Sequence, residues 1–440
     1  MPLRSSAPGD VSRNCLRPIP GWCAVECRGW AKYLGFVLGP DRAERTWDQA
    51  CSKALQRARL WRDAGLGLQW SALVYQVYVA SVLGFLLQLD RLPSHWDTTE
   101  ASLLRALVPG PYRWCAPADL HGLRRDLGFA REFPDLRMTS IAARLRVYRH
   151  EAAAQGGLPI RRWLLRLAAA DHRSQHLARW AHWRQWHSSS FCHYLASAPR
   201  ELAAAGVSGQ EVRMRAAQAS CEPITPRQVR RERKRTQRAA VELLRVRETR
   251  RPEVRMRRKL ESWALQLYPR LRAQRALLVL PRLAAIAPPR VSAAVLRTWW
   301  SGWCTRRRFG TRGPCVFCGR HDLDSVEHAS VCRVLAEFGR DHLCLQYHAE
   351  PDARRLQFLL LEPASWLDDR RLLLGALRIA AAYRVHCKFR RHARAGDDRV
   401  FIRQALAQAA REALLGHTAA SAAYDSRWAA ARATLNPDVR

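Results

Sequence analysis

Pro314-Cys-Val-Phe-Cys-Gly-Arg-His-Asp-Leu-Asp-Ser-Val-Glu-His-Ala-Ser-Val-Cys332 is the stretch that most constrains the fold, because four of its side chains can bind one metal ion. Two residues separate Cys315 from Cys318, and Gly319 follows, so a tight turn can direct both sulfur atoms to one point. If all four ligands bind, no coordination position stays open, and the ion is structural. The predicted zinc ligands are Cys315, Cys318, His328 and Cys332.

The second half of this stretch predicts a short helix. Asp324 and Ser325 are suitable N-terminal caps, and the helix would carry His328 and Cys332 one turn apart on the same face. His321 is an alternative third ligand, but it lacks this helical partner. The other alternative is that these are chance cysteines among the 13 in the chain.

The composition indicates a partner with many negative charges. The chain has 440 residues with 48% hydrophobic content, enough for two or three folded domains. Its 74 Lys and Arg residues exceed its 38 Asp and Glu residues, which gives a net charge of +36. Such an excess favours nucleic acid, since neutralising phosphates releases counterions. A codon bias towards Arg is the alternative origin of this charge, because only five of the basic residues are Lys.

The distribution of cysteine and apolar residues favours an intracellular protein, nuclear or cytoplasmic. The cysteines outside the metal stretch are scattered and do not form a secreted disulfide pattern. Arg4, Asp10 and Arg13 interrupt the N-terminus, which has no signal-peptide core. Leu66 to Leu89 lacks charged residues, but its glutamines and serines favour a buried core helix over a membrane span.

Apolar periodicity and helix-breaking residues predict a mainly α-helical chain. Thr46 to Trp61, for example, has the apolar spacing of an amphipathic helix. The predicted regions are a disordered N-terminal extension (1–28), a first helical region (29–158), a second helical region (159–225), a basic helical segment (226–262), a helical region rich in Trp and Arg (263–312), a small zinc-binding region (313–345), C-terminal helices (346–415) and a tail (416–440).

Two basic sequences are candidates for binding phosphates. Residues 227 to 259 carry 15 basic and 4 acidic side chains, a density typical of nucleic-acid arms or nuclear localisation signals. The second sequence lies just before the metal stretch, where three arginines follow three tryptophans. The candidate nucleic-acid-binding residues are Arg227, Arg230, Arg231, Arg233, Lys234, Arg235 and Arg238 in the first sequence, and Arg306, Arg307 and Arg308 in the second. A solvated linker helix is the alternative for the first.

The aromatic residues of the second sequence allow two interpretations. Trp299, Trp300, Trp303 and Phe309 could stack unpaired bases beside the arginines. Alternatively, Trp299 and Trp303 are four residues apart and form the core stripe of a helix, which is the favoured prediction.

The sequence contains only weak candidates for catalytic residues. His172 and His176 are one helical turn apart, but the sequence between them is not that of a zinc protease. Asp368-Asp369 resembles a helix start, and Asp397-Asp398 follows Gly396 in a polar loop. Neither pair has the apolar setting in which two carboxylates hold two magnesium ions, so the chain is predicted not to be an enzyme.

Several segments resemble LINE-type (non-LTR) retrotransposon reverse transcriptases. Trp30-Ala-Lys-Tyr-Leu-Gly-Phe-Val-Leu-Gly-Pro40 is similar to the strand and turn that follow the palm of those polymerases. Val82-Leu-Gly-Phe85 and Leu107-Val-Pro-Gly-Pro111 resemble the thumb and post-thumb helices, which makes residues 29–158 thumb-like. Trp303-Cys-Thr-Arg-Arg-Arg-Phe309 and the cysteine-histidine stretch resemble the C-terminal zinc knuckle of the same reading frames.

This resemblance implies a nucleic-acid-binding remnant of a polymerase. The fingers and palm that should precede Lys32-Tyr-Leu-Gly35 are missing, and with them the catalytic aspartates. The spacing of two, nine and three residues between the ligands also departs from the family's usual eight and four in the last two gaps. The expected function is binding of RNA, with DNA as a second possible partner, without polymerase activity. A structural or protein-interaction scaffold, whose basic face does not bind nucleic acid, is the alternative.

Overall fold

The fold is described by a computed structural model covering residues 30–33, 36–38, 45–111, 114–154, 193–217, 226–247, 252–263, 265, 269–320, 324–362, 368–390 and 399–415. Helices account for most of these residues, which confirms the predicted mainly α fold class. Within these ranges, the strands are limited to β1 (Ala31–Tyr33) and β2 (Phe36–Leu38), which pair in an antiparallel hairpin.

The helices of the first part of the chain are α1 (Arg45–Arg62), α2 (Gly67–Val74), α3 (Ala80–Leu83), α4 (Leu86–Leu89), α5 (Trp96–Leu107), α6 (Pro117–His121), α7 (Leu123–Leu127), α8 (Leu136–Ala154), α9 (His193–Ala204) and α10 (Gly209–Ala217). Those of the second part are α11 (Pro226–Arg247), α12 (Pro252–Ser262), α13 (Pro269–Ile286), α14 (Pro289–Trp299), α15 (Val326–Val331), α16 (Arg333–Leu343), α17 (Pro351–Phe358), α18 (Asp369–Phe389) and α19 (Arg399–Leu415).

The chain divides into two compact units. The first lies within residues 1–59, 76–103 and 134–249, and the second within residues 60–75, 104–133 and 250–440. The sequence from 227 to 259 is therefore not one element. It forms α11, which belongs to the first unit, and most of α12, which belongs to the second.

The first unit contains a helical core that includes the basic helix α11. Apolar side chains of α8, α9, α10 and α11 pack together, and Ala239, Ala240 and Leu244 of α11 are buried there. Arg144 of α8 forms an ion pair with Glu201 of α9, at 2.6 Å. The apolar residues of α11 cluster towards its C-terminal half, so that half is anchored in the core, and most of the basic residues of the helix precede them.

The helix predicted at residues 46 to 61 is confirmed as α1. It begins at Arg45 and ends at Arg62, and Trp47, Cys51, Ala54 and Ala58 are buried along one face. The Trp47 ring packs against that of Trp96, with centroids 6.4 Å apart. The Thr46 hydroxyl accepts a hydrogen bond from the Val37 backbone, which attaches the hairpin to the helix start.

The second unit is built around α18. This helix packs against α13, α14, α16, α17 and α19, and its residues from Leu372 to Ala382 are all buried. Asp368 caps it by accepting a hydrogen bond from the Arg371 backbone N–H at 2.6 Å, as the predicted helix start required. The metal-binding stretch connects α14 to α16, two helices that both contact α18, so this core fixes both of its ends.

The uncharged stretch from Leu66 to Leu89 is only partly the buried helix that was predicted. It is divided into α2, a π-helical turn (Tyr75–Val79), α3 and α4. Leu68, Ala72 and Leu83 are buried, whereas Trp70 is 57% exposed and Phe85 49% exposed. The absence of charges did not show which residues face outwards. Among the described helices, none combines the length and the apolar character needed to cross a membrane.

Some predicted regions lie outside the described residues. These are the N-terminal extension (1–28), the whole stretch from 155 to 192 with His172 and His176, the loop that carries Asp397 and Asp398, and the tail (416–440).

Candidate metal centre

The structure brings together all four side chains predicted as zinc ligands. One ligand atom from each of Cys315, Cys318, His328 and Cys332 lies within 4.8 Å of every other. The Cys318 sulfur is 3.2 Å from Nε2 of His328. Cys315 and Cys332 are buried, and the other two are half-buried. Such a group could hold a metal ion.

The first two cysteines lie on a tight turn, as their spacing predicted. The Gly319 backbone N–H donates to the carbonyl of Cys315 at 2.9 Å, and the Cys315 N–H donates to the carbonyl of Arg320 at 2.8 Å. Gly319 has a φ of +70°, in the left-handed region that glycine adopts without steric cost. The turn reverses the chain so that both sulfurs face the same point.

The histidine is positioned by the capped helix α15. Ser325 is the N-cap, and its hydroxyl accepts a hydrogen bond from the His328 backbone N–H at 3.0 Å. The helix ends at Val331, so Cys332 is not on the same helical face as predicted. Instead it has extended dihedral angles (φ −60°, ψ 124°) between α15 and α16. This bend turns its sulfur towards the cluster.

Hydrogen bonds among the three thiols shift their pKa values in opposite directions. The pKa of Cys318 is lowered, first by a hydrogen bond from Cys315 and then by one from Cys332. The pKa of Cys315 is raised, chiefly by its hydrogen bond to Cys318. For Cys332, the hydrogen bond from Cys315 lowers the pKa, but the hydrogen bond to Cys318 and burial outweigh it and raise the pKa to about 12. The cluster thus favours one thiolate and holds protons that a metal cation would displace.

The donor set fits a tetrahedral metal. Three sulfur atoms and one imidazole nitrogen are soft to intermediate ligands, unlike the oxygen ligands of calcium or magnesium. Metal–sulfur bonds of about 2.3 Å put tetrahedral sulfurs roughly 3.8 Å apart, so ligands spread over 4.8 Å need to close in by about 1 Å.

Asp324 connects the metal-binding stretch to the core of the second unit. It was predicted as a helix cap, but Ser325 takes that role. The Asp324 carboxylate is buried, with Oδ1 3.0 Å from Nε2 of His386 on α18 and Oδ2 accepting from the Arg306 backbone N–H at 2.7 Å. Its carbonyl accepts from the Arg307 N–H at 3.3 Å. Asp324 therefore fixes the backbone of the arginine triplet (Arg306–Arg308) beside the metal cluster.

The tryptophans before the triplet belong to the core. Trp299, Trp300 and Trp303 are each at most 1% exposed. The Trp303 indole N–H donates to the Thr298 hydroxyl at 2.9 Å, and its ring packs 5.2 Å from that of His386. Side chains this buried cannot stack nucleic-acid bases, so the predicted core packing is confirmed. The predicted helical stripe is wrong, because α14 ends at Trp299 and Trp303 lies beyond it.

The arginine triplet, in contrast, reaches the surface. Arg306 and Arg307 are exposed and Arg308 is half-buried. The Arg307 side chain is 68% exposed and lies 3.5 Å from the Glu327 carboxylate. The adjacent Phe309, the fourth aromatic residue predicted to be able to stack bases, is 60% exposed. Three guanidinium groups and one aromatic ring therefore follow one another next to the metal cluster.

The seven basic residues of the first candidate sequence all lie on α11. Lys234 and Arg238 are exposed, and Arg235 is half-buried. Arg238 lies 3.2 Å from Glu242 one turn later. The side chains of Arg227, Arg230, Arg231 and Arg233 are outside the described part of the structure, so phosphate binding by this sequence stays a prediction.

Sequence reasoning missed three residues around the triplet: Lys259, Ser301 and His386. Lys259 was included only in the charge count of its segment. Ser301 follows the C-cap of α14 and has a positive φ of +53°. This conformation was not predictable, because a serine, unlike a glycine, does not indicate a left-handed backbone. His386 is 62 residues from Asp324, so its contact was not foreseeable from local patterns.

Comparison with known proteins gives no relative for this chain: no family model, no curated protein and no solved structure matches it.

Proposed function

We propose that the chain binds RNA through the arginine triplet and the basic helix α11, on a fold stabilised by one structural zinc ion. The observation that carries this proposal is the attachment of the triplet to the metal-binding stretch through Asp324. A metal that orders residues 314–332 would also order these arginines. Arg guanidinium groups bind phosphates in a forked geometry, and the net charge of +36 favours a polyanion.

Zinc is the proposed metal because of the ligands. Three cysteines and one histidine form a typical structural zinc set, and four protein ligands leave no position for a substrate. The proposed role is thus to hold the fold and not to catalyse. Asp368 and Asp369, the paired aspartates within the described ranges, are engaged in the cap of α18 and in an ion pair with Arg282 at 2.7 Å. We accordingly propose that the chain has no polymerase activity.

The resemblance to LINE-type reverse transcriptases supports RNA as the partner and an intracellular location, nuclear or cytoplasmic. It depends on the Tyr33-Leu-Gly35 segment and on the zinc-knuckle-like stretch. In this proposal the chain corresponds to the part of such a polymerase that follows its palm, with DNA as a second possible partner.

A salt titration of RNA binding tests the proposal. If about six phosphates are neutralised, the logarithm of the affinity for a single-stranded RNA falls against the logarithm of salt concentration with a slope of roughly −4. Changing Arg306, Arg307 and Arg308 together to Ala should weaken binding and make this slope shallower by about 2. The zinc content should stay the same, because these side chains are not ligands.

The matched control removes three other exposed charges. Lys53, Arg59 and Arg62 are exposed on α1, and changing them to Ala should leave both affinity and slope within error. Absence of RNA binding at low salt would refute the proposal and favour a protein-interaction scaffold. An equal loss of RNA affinity in the triplet variant and the control variant would show that binding depends only on the total charge of the chain.

A further inference from the structure

Lys259 of α12 is a partly buried cation. Its Nζ donates a hydrogen bond to the Ser301 hydroxyl at 2.7 Å. Within the described residues, no Asp or Glu oxygen lies at ion-pair distance from it. Partly buried lysines usually have such a partner, because removing an ammonium from water is costly. For Lys259, the partner among the described residues is the neutral hydroxyl of Ser301.

Two arginines, Arg255 and Arg308, act electrostatically on Lys259. Burial lowers the pKa of Lys259, and the charges of Arg255 and Arg308 lower it further, while Glu327 partly opposes them. Glu327 is itself near Arg307. Arg255 is held in place by an ion pair with Asp119, a hydrogen bond to the carbonyl of Trp114 at 2.7 Å, and the Trp300 ring at 4.9 Å. Burial and the two arginines therefore disfavour the charged form of Lys259.

Ser301 is held in an unusual conformation at this position. It follows the last residues of α14 with a φ of +53°, where glycine is the common residue. Its N–H donates to the carbonyl of Thr298 at 3.1 Å, which fixes the backbone. Left-handed non-glycine residues are strained and often found at functional sites. Here the hydroxyl, which glycine would lack, holds the ammonium of Lys259.

We propose that Lys259, Ser301 and Arg308 form a binding site for one phosphate group of the RNA backbone. This inference rests on the proposed function and adds a specific subsite to it. An ammonium and a guanidinium can both donate charge-assisted hydrogen bonds to phosphate oxygens, and the Ser301 hydroxyl orients the ammonium. A bound phosphate would also offset the unfavourable effect of Arg255 and Arg308 on the charged ammonium.

The first experiment measures RNA affinity and its salt dependence for Lys259→Gln. One lost phosphate contact should lower affinity about tenfold at low salt and make the slope shallower by about 0.7. Lys259→Arg, which keeps the charge, should recover most of the affinity. Ser301→Ala, which loses only the anchor, should have a smaller effect in the same direction. Lys53→Gln, a change at an exposed lysine of α1, is the control and should alter neither quantity.

A purely structural role for Lys259 makes a different prediction. If Lys259 only ties α12 to the end of α14, Lys259→Gln would lower thermal stability but leave the salt slope unchanged. That result, or an affinity equal to that of the wild type, overturns the inference while the proposed function stands.

The second experiment separates failure of the site from failure of RNA binding. The chain has five lysines, so labelling with an amine-reactive reagent and mass spectrometry can follow each one. Lys259 should be protected by RNA, and also by inorganic phosphate compared with chloride at equal ionic strength, while Lys53 is not. If the wild type fails to bind RNA, the proposed function is wrong. If neither RNA nor inorganic phosphate protects Lys259, the subsite is wrong.

Discussion

Replacing Asp324 by Ala should destabilise the second unit by about 3 kcal/mol. The carboxylate is buried and has two partners, the His386 imidazole nitrogen at 3.0 Å and the Arg306 backbone N–H at 2.7 Å. Each buried polar group left without its partner costs about 1–3 kcal/mol. The full cost applies to His386, which is 1% exposed, whereas the Arg306 N–H lies closer to the surface and can reach water.

Asp324→Asn is the matched control for this prediction. The amide has nearly the same shape, its oxygen can accept from the Arg306 N–H, and its NH₂ group can donate to the alternative tautomer of His386. The expected cost is therefore only about 1 kcal/mol. Both backbone hydrogen bonds of residue 324, to Gly313 and from Arg307, remain in either variant.

Urea unfolding of the zinc-containing protein, followed by tryptophan fluorescence, measures both costs. The signal sums 17 tryptophans, and it reports on the second unit because Trp299, Trp300 and Trp303 are buried there. The Ala variant should also bind RNA more weakly, since the triplet backbone is no longer fixed. The reasoning fails if Asp324→Ala costs less than about 0.5 kcal/mol, or if Asn and Ala are equally destabilising.

Three further predictions concern other parts of the chain. The first replaces the seven basic residues between Arg227 and Arg238 of α11 by Gln. This variant should have a shallower salt slope and should bind all RNA sequences more weakly by the same factor, because phosphate contacts carry no base information. A loss of affinity confined to one RNA sequence would contradict this. Cys344 is exposed and has a φ of +48° after α16, a conformation that glycine adopts with less strain. Cys344→Gly should therefore raise the free energy of unfolding in urea by about 0.5 kcal/mol. A lower free energy of unfolding would show that the thiol has a packing role. Primer extension on an RNA template with magnesium or manganese should give no product above background, and extension that is lost in Asp368→Ala or Asp397→Ala would reveal an active site.

The metal site could be predicted from the sequence because its information is local. The two-residue gap between Cys315 and Cys318, followed by glycine, allows few conformations that keep the sulfurs apart. Ser325 as a helix cap is also a local signal, and the structure confirms it. The bend at Cys332 was not predicted, because a gap of three residues after His328 fits a continuous helix equally well.

The surroundings of the site depend on contacts between distant residues. Asp324 resembles a cap in the sequence, but His386 and the Arg306 backbone attract its carboxylate in the folded chain. In the same way, the spacing of the tryptophans allowed both stacking and core packing. Burial against other helices of the second unit selects core packing. The Trp299 indole N–H, for example, donates to the carbonyl of Leu359 at 3.0 Å.

The organisation of the chain was the least accessible feature. Each compact unit combines three separate stretches, whereas a sequence is naturally divided into consecutive regions. Charge density grouped residues 227 to 259, but helix packing separates them, since α11 contributes Ala239, Ala240 and Leu244 to one core and α12 contributes Met256 and Leu260 to another.

Zinc analysis of the purified chain tests the central claim most directly. The account predicts one zinc per molecule in the wild type, and its loss with partial unfolding in Cys318→Ser. His328→Ala should also lose the metal, whereas His321→Ala should keep it, because His328 lies 3.2 Å from the Cys318 sulfur. A wild-type protein that is folded and free of zinc would contradict the account, and loss of zinc in His321→Ala but not in His328→Ala would reassign the third ligand.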